Sequence, residues 1–528
     1  MSEDKKKDLG AYYTPLEISN FLTKRLEIKR GDFVLEPSVG DGSFLFNAVK
    51  YTNNVTGIDI DSQSIKELEK QTDASLICCD FLNYANNNSK IKYDIILSNP
   101  PYLSFKKLTE EQRENLAELL KNNNIKATKQ TNLWSGFVVA CINMLKQDGK
   151  FAFVLPAEFL YSDYGKEVQE FIFKQSSSLT IIGFKELAFC DIQQDTILVY
   201  GRKGSNKNSS VDISCFELTS ISSLNDHESI LSLEKQNLQK ISEVTNINWK
   251  LEKCSAEFKK LYKKKFMAGT RPIMDVADIK IGLTTGANDI FLLTENEVKK
   301  YKLENYVKPL LRRASHIKST RYNTNTFKEL VNKNKKTFLL DFNDKELTCD
   351  AKRYIEEIES KNGHKGYKLQ NRSTWYKIPK MNIPDAFMLR RVGEDARIIS
   401  NDIKAMSTDN FHHIFLNDGC SIDKLIVLSY TSIYRISVEL SSRSYGGGAL
   451  EILSRDFRKL RVPKVEGEIN YIDIRQKIDE MLYNKQDIYS IVKFVDDTLV
   501  EKTGFSRKEM DVIYNEWQKM CKKRNNKR

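Results

Sequence analysis

Along the first 200 residues, short β-branched runs alternate with stretches whose apolar residues recur every three or four positions. The runs at 33–36, 55–60, 75–79, 93–98, 151–155, 179–184 and 196–200 predict strands, each bounded by turn residues or charge. Apolar spacing predicts helices over 16–25, 62–71, 133–146 and 164–174, with Asp61 or Ser62 placed to cap the second. Strand and helix in alternation is the pattern of βαβ units, so the expected class is α/β, a Rossmann-like, doubly wound, mostly parallel sheet. The polar run RKGSNKNSS at 202–210 reads as a surface loop, and the pattern is indistinct from there to about residue 250. Mixed short strands, aromatics and basic residues then continue to about residue 463. Helical periodicity returns over 469–521 and runs into KKRNNKR, which reads as a frayed basic tail. The expected division is 1–245, a mixed α+β domain over 246–465, and a helical appendage over 466–528.

Composition narrows the class. With 528 residues and 40% apolar content the chain has material for two to four cores. The nine cysteines are odd in number and scattered, and no Cys/His spacing suits zinc, so neither structural disulfides nor a metal is expected. No apolar run approaches about 18 residues, and Met1 to Asp8 is charged where a signal peptide would be apolar, so no membrane association and a cytoplasmic location are expected. The net charge of +12 suits a polyanionic partner if the excess gathers on one face, although a chain this rich in Lys, Asn and Ile also scatters lysines over solvated faces.

The sharpest chemical signal is Asn99-Pro100-Pro101-Tyr102, directly after the predicted strand DIILS. In an open parallel sheet ligands bind outside the carboxyl ends of the strands, near the switch in strand order, so a short loop there faces the site. Two prolines stiffen the loop, lack donors and leave the Pro100 carbonyl as an acceptor. Asn99 adds a side-chain carbonyl and Tyr102 a π-face. Two acceptors and a stacking ring suit a planar base that carries an NH2 group. The exocyclic amine of adenine is a poor nucleophile because its lone pair is delocalised, and accepting both its hydrogens helps localise that pair. In-line attack on a sulfonium methyl then needs positioning and electrostatics more than a strong base.

A second signal, Glu36-Pro37-Ser38-Val39-Gly40-Asp41-Gly42-Ser43-Phe44, follows the first strand. Its glycines allow a sharp turn and close backbone approach, but the third glycine of a dinucleotide loop is missing, which argues against NAD. Glu36 would repel a pyrophosphate and suits the cationic amino-acid part of S-adenosylmethionine. Asp59, about 20 residues after the glycines, is placed to accept from ribose hydroxyls. Asp80, beside Phe81, is placed to accept from an adenine amine.

With Gly10-Ala11-Tyr12-Tyr13-Thr14-Pro15, EPSVGDGSF, GIDID, CDFL and NPPY in that order over some 200 residues, the chain resembles the gamma-type N6-adenine DNA methyltransferases, the TaqI-like methylases. The resemblance implies a class I methyltransferase fold and an S-adenosylmethionine pocket lined by Tyr13, Thr14, Glu36, Ser38, Asp59, Ile60, Asp80, Phe81 and Asn99, with Gly40 in the glycine loop. It also implies that Asn99 and Pro100 hold the target amine, that Tyr102 lies on one face of a flipped adenine, and that Phe189 packs against the same base. Flipping is required because the amine of a stacked, paired adenine cannot enter an enclosed pocket.

One small pocket cannot select a DNA site, so target recognition falls to the region beyond about residue 250. The expected DNA contacts are Lys308 with Arg312 and Arg313, the stretch Asn371 to Tyr376, and above all Arg443-Ser444-Tyr445-Gly446-Gly447-Gly448, a segment similar to one in the family's recognition part. Only about nine residues precede GAYYTP, and the helical stretch lacks paired carboxylates followed by ExK. The chain is therefore expected to modify duplex DNA only, with any restriction endonuclease a separate protein. Two alternatives remain: methylation of ribosomal RNA or protein glutamine, where NPPY-like loops also occur, and a DNA-binding defence component that no longer turns over.

Overall fold

A computed structural model describes residues 14–129, 131–160, 162–184, 196–204, 210–241, 249–444 and 448–525. It divides into two compact units, Met1–Lys253 and Cys254–Arg528.

The first unit is built on a nine-stranded sheet in the order β3-β2-β1-β4-β5-β7-β6-β8-β9. Its strands are β1 (Val34–Glu36), β2 (Val55–Asp59), β3 (Ser75–Cys78), β4 (Tyr93–Ser98), β5 (Leu145–Pro156), β6 (Ser176–Phe184), β7 (Thr196–Lys203), β8 (Val211–Leu218) and β9 (Leu238–Ile241). β3, β2, β1, β4 and β5 run parallel, and β7 lies antiparallel between β5 and β6. This is the expected α/β class.

Side-chain alternation along the central strands explains why both faces are covered. On β4, Ile96 packs into one core and Ile95 with Leu97 into the other. On β5, Phe151, Phe153 and Leu155 join the first core, Ala152 and Val154 the second. Helix α1 (Leu16–Arg25) starts at Pro15, whose fixed φ suits a helix start, and carries Glu17 in its first turn and Lys24 and Arg25 in its last, as the helix dipole favours. It buries Ile18, Phe21 and Leu22 against the second core. Helix α2 (Leu45–Ala48) follows the glycine loop, and α3 (Ser62–Leu68) is capped by Asp61, which accepts from Gln63 N. Helix α4 (Phe81–Asn87) is capped by Asp80, and α5 (Glu110–Asn122) carries a Thr109/Gln112 capping box. Helix α6 (Leu133–Met144) is apolar nearly all round and buried, α7 (Asp163–Gln175) is amphipathic, and α8 (His227–Gln236) follows β8 in the chain. The stretch 202–210 is only partly the expected loop. β7 runs on to Lys203, whose ammonium donates to the carbonyls of Ile142 (2.7 Å) and Leu145 (3.0 Å).

From β1 the chain winds outward through β2 and β3, then returns to β4 on the other side of β1. The switch point thus lies between the carboxyl ends of β1 and β4, where the glycine loop and the diproline loop both begin. The glycine loop depends on backbone handedness. Gly42 has φ +83°, and a Cβ there would stand 2.8 Å from both Leu68 Cδ2 and Phe46 Cε2. Gly42→Ala is therefore expected to cost about 1–2 kcal/mol from the backbone alone and to lower the unfolding midpoint by about 2–8 °C. Thermal melts of the two proteins check this, and equal midpoints would show that the loop tolerates a side chain.

The second unit is mixed α+β. One five-stranded sheet joins Ala277–Ile281, Phe411–Leu416, Ala386–Leu389, Ile398–Asn401 and Arg321–Tyr322. A small three-stranded sheet joins β10 (Arg391–Val392), β11 (Arg443–Ser444) and β12 (Leu450–Glu451), with β12 central. Helices α9 (Ser432–Ser441), α10 (Tyr471–Tyr483), α11 (Ile488–Leu499) and α12 (Arg507–Asn525) belong to this same compact unit. The expected frayed tail is corrected here. α12 continues to Asn525, with Trp517 and Cys521 in the core, and Arg524 is 8% exposed and ion-paired with Glu439 of α9 at 2.9 Å. A run of basic letters looks solvated, but one of them has a buried carboxylate to meet. Among the described residues no helix is long and apolar enough to cross a membrane.

Candidate active site

Glu36 ends β1 and is 3% exposed. Burial, reinforced by the charges of Asp41 and Asp59, pushes its carboxyl well above the usual glutamate range, while backbone N–H groups of Leu45 and Phe44 partly offset the shift. Its Oε2 is buried and has no hydrogen-bond partner among the described residues. A carboxylate in that state demands either a proton or a cation.

Asp59, at the end of β2, fixes the glycine loop. Its Oδ2 accepts from Gly40 N at 2.8 Å and its Oδ1 from Asp61 N at 2.8 Å. Burial raises its pKa and these backbone donors oppose the rise. An ionised carboxylate offers about four lone-pair directions, so two backbone bonds leave capacity for hydroxyl donors. Beside it Ile60 is 49% exposed. Asp80 and Phe81 are engaged differently. Asp80 accepts from Asn83 N (3.0 Å) and from Gln112 Nε2 (3.4 Å), one bond to each oxygen, and Phe81 is buried 5.0 Å from the ring of Phe137.

The diproline loop is tied on three sides. Ser38 Oγ donates to the Asn99 carbonyl (3.0 Å) and lies 3.3 Å from Ser98 Oγ, which joins the loops after β1 and β4. Asn99 Nδ2 donates to Thr14 Oγ1 at 3.1 Å, so Thr14 sets which way the amide points. Tyr102 OH reaches two acceptors, Val154 O on β5 at 3.1 Å and Asn99 Oδ1 at 3.4 Å. The single hydroxyl proton has its shorter path to Val154, which anchors the far end of the ring to the sheet. Pro100 is buried and Pro101 half-buried.

Thr14, Ser38, Asn99 and Tyr102 thus form one network, beside the glycine loop that Glu36 leads into from β1 and that Asp59, at the end of β2, holds through Gly40 N. The Ser38–Ser98 contact and the Tyr102–Val154 bond had no local signal, since each joins residues more than 50 positions apart. Glu158, just beyond β5, was also missed. It accepts from Trp134 Nε1 (3.0 Å) and Tyr164 OH (2.5 Å). Of the other expected residues, Tyr13, Phe189, Tyr445, Gly446 and the Ser444 side chain lie outside the described residues. Lys308, Arg312 and Arg443 belong to the second unit. There Lys308 pairs with Asp341 at 2.7 Å, Arg312 is half-buried, and Arg443 stands opposite Glu451. The stretch Asn371 to Tyr376 is an internal brace. Arg372 donates to the carbonyls of Thr284 (3.1 Å) and Thr285 (2.7 Å), and Trp375 Nε1 donates to Glu359 (2.8 Å).

Two family models match the chain, the Eco57I restriction-modification methylase over residues 44–189 and the C-terminal domain of Type II methyltransferase M.Eco57I over residues 252–500. The chain belongs to the restriction-modification methyltransferases. The methyltransferase is 26% identical over 486 residues to Type II methyltransferase M.AccI of Acinetobacter calcoaceticus, covering 87% of this chain and 86% of that one. It is 28% identical over 236 residues to Type II methyltransferase M.BanIII of Aneurinibacillus aneurinilyticus, covering 38% and 40%. Among solved structures, the fold of this methyltransferase is similar to the Type IIL restriction-modification enzyme MmeI in complex with DNA, with TM-score 0.57, 13% identity, and coverage of 98% of this chain and 80% of that one. The first family model takes in the loop after β4 and the second begins at residue 252, next to the boundary between the units.

Proposed function

We propose that this methyltransferase acts on duplex DNA, moving a methyl group from S-adenosylmethionine to the N6 amine of an adenine flipped out of the helix. The observation that carries the reading is the Asn99 side chain, fixed by Thr14 and Tyr102 in the loop after β4, next to Glu36 at the head of the glycine loop, with a buried carboxylate oxygen that has no partner among the described residues.

That orphaned oxygen is the test of fit for the cofactor, and it fits. An α-ammonium group is the cation such a carboxylate lacks. Glu36 would hold it, Asp59 would accept from the ribose hydroxyls, and exposed Ile60 would cover an apolar ring face. When bound, S-adenosylmethionine supplies an electrophilic methyl on sulfur. The remaining work falls to the chain. Asn99 Oδ1 and the Pro100 carbonyl accept the two amine hydrogens, which draws the lone pair out of the ring as the amine becomes a nucleophile. Pro100 and Pro101 keep the acceptors from relaxing and Tyr102 packs on the base. As the N–CH3 bond forms and the S–CH3 bond breaks, the sulfur leaves as a neutral thioether. The proton lost from the methylated amine goes to solvent, because an amide and a peptide carbonyl hold hydrogen bonds but do not keep a proton.

Labelled S-adenosylmethionine incubated with adenine-containing duplexes tests this directly. N6-methyladenine in the digested DNA is the expected product. Label on RNA or protein alone, or clean folding without any transfer, would overturn the reading. Tyr102 separates two contributions. Tyr102→Ala is expected to lose base stacking worth roughly 1–3 kcal/mol, while Tyr102→Phe keeps the ring, loses its tie to Val154 and loses less. Fluorescence of 2-aminopurine at the target position reports the stacking, and an equal signal in all three proteins would count against it.

A further inference from the structure

Tyr102 is held at both ends by parts of the chain that are far apart in sequence. Its hydroxyl reaches the carbonyl of Val154 on β5 at 3.1 Å. Its main chain leads into Leu103, whose carbonyl accepts from Leu133 N at 2.8 Å, and Phe105 N then donates to the Thr131 carbonyl at 3.0 Å. The segment that leaves the diproline loop is therefore laced to the segment that enters α6. The orientation of a ring with two anchors depends on how those anchors are joined to each other. Here one lies on β5 and the other at the start of α6.

Glu158 makes the join. It sits in the short turn Ala157–Leu160 that follows β5, and its Oε1 accepts from Trp134 Nε1 at 3.0 Å. Trp134 is the residue after Leu133. A closed path thus runs from the Tyr102 hydroxyl to Val154, along β5 to Glu158, across to Trp134, and back through Leu133 and Leu103 to Tyr102. The same Glu158 oxygen accepts from Tyr164 OH at 2.5 Å. Trp134 is fully buried, its ring 5.4 Å from that of Tyr164 and 6.0 Å from that of Phe159. Burial and the Glu158 carboxylate push the Tyr164 phenol far above its ordinary range, so the proton stays on Tyr164 and points at Glu158. A buried indole N–H and a buried phenol both need acceptors, and one carboxylate oxygen serves the two. Two donors in fixed directions leave that carboxylate one position.

We propose that Glu158 is a positioning residue for Tyr102: by locking the turn after β5 to the first turn of α6, it sets the plane of the ring that packs on the target base. The inference rests on the proposed function, which puts Tyr102 on the adenine, and extends it to a residue outside the diproline loop. A carboxylate that only satisfied Trp134 and Tyr164 would matter to stability and not to the base.

Full-length Glu158→Ala, Glu158→Gln and Tyr164→Phe would be compared with the parent protein for steady-state methyl transfer to duplex DNA, S-adenosylmethionine affinity and fluorescence of 2-aminopurine at the target position. Glu158→Ala is expected to lower kcat by about ten- to a hundredfold, the scale of a small misplacement at a reacting centre, with cofactor affinity unchanged and the 2-aminopurine signal altered. Glu158→Gln should recover most of kcat, because its amide oxygen still accepts from both donors. Tyr164→Phe removes one donor, keeps the ring and should lose less in the same direction; it stands in for Glu158→Ala if that variant does not fold. Adding either change to Tyr102→Ala should cost nothing further, since the ring to be positioned is gone. A parent that methylates duplex adenine beside Glu158→Ala and Tyr164→Phe variants with parental kcat and fluorescence would overturn this proposal alone. Losses that multiply in the double variant, or a cofactor affinity that falls in step with kcat, would do the same. A parent that transfers no methyl group to DNA would overturn it together with the proposed function.

Discussion

Asn99→Ala is expected to lower methyl transfer by about 10²–10³-fold, the usual cost of removing one donor or acceptor that acts at the transition state. Cofactor affinity should change far less, because the Glu36 and Asp59 sites belong to the loops after β1 and β2, and Ser38 bonds to the Asn99 main chain, which the substitution leaves in place. Single-turnover transfer beside equilibrium binding of S-adenosylmethionine separates the two. Near-normal turnover would remove Asn99 from the amine. A parallel loss of cofactor affinity would mean that the Thr14 bond, and not the amine contact, is what the side chain supplies.

Glu36→Gln should have the opposite profile. Losing a charged partner for an ammonium is worth about 1.5–3 kcal/mol, so the cofactor should bind roughly ten- to a hundredfold more weakly. The protein without cofactor should respond to pH in a definite sense. The Glu36 carboxyl stands above its ordinary value of 4.5 because it is buried. Below that value both folded and unfolded chains are protonated there and the group is neutral to stability. As the pH rises past it, the unfolded chain ionises first, and the folded state is progressively disfavoured up to the raised folded value. Glu36→Gln should flatten this decline, and cofactor should remove it from the parent by supplying a cation. Thermal unfolding from acid to neutral pH, with and without cofactor, shows either result. Identical pH profiles for parent and variant would mean that the carboxylate already has a partner.

How far the chain could be read depended on how local the cause was. The central strands were legible because each is a short apolar run that feeds both cores, and α1 because its apolar stripe and end charges agree. β8, the helix over 227–236 and β9 were not assigned. β9 is an edge strand whose residues are half-buried or exposed, and its place beside β8 is decided by pairing that no nearby residue announces. The loops that carry Glu36 and Asn99 were legible from residue type and position after a strand. What holds them was not, because Thr14, Ser38 and Val154 reach them across long stretches of chain. In the second unit residue type alone says less: Arg372 and Lys308 read as candidates for an outside anion, and each also bonds within the protein, Arg372 to the carbonyl of Thr285 and Lys308 to Asp341, partners that lie far off along the chain.

Arg524 has a further consequence for the order in which the molecule is made. A ribosome releases the amino end first, so every strand of the nine-stranded sheet is available before α12 has been translated. Until that helix arrives, the carbonyls of Gly393, just after β10, and Gly448, just before β12, lack the Arg524 guanidinium that donates to both, and Glu439 lacks its ion pair. A nascent polypeptide therefore completes the loops that carry Glu36 and Asn99 before the unit that α12 closes.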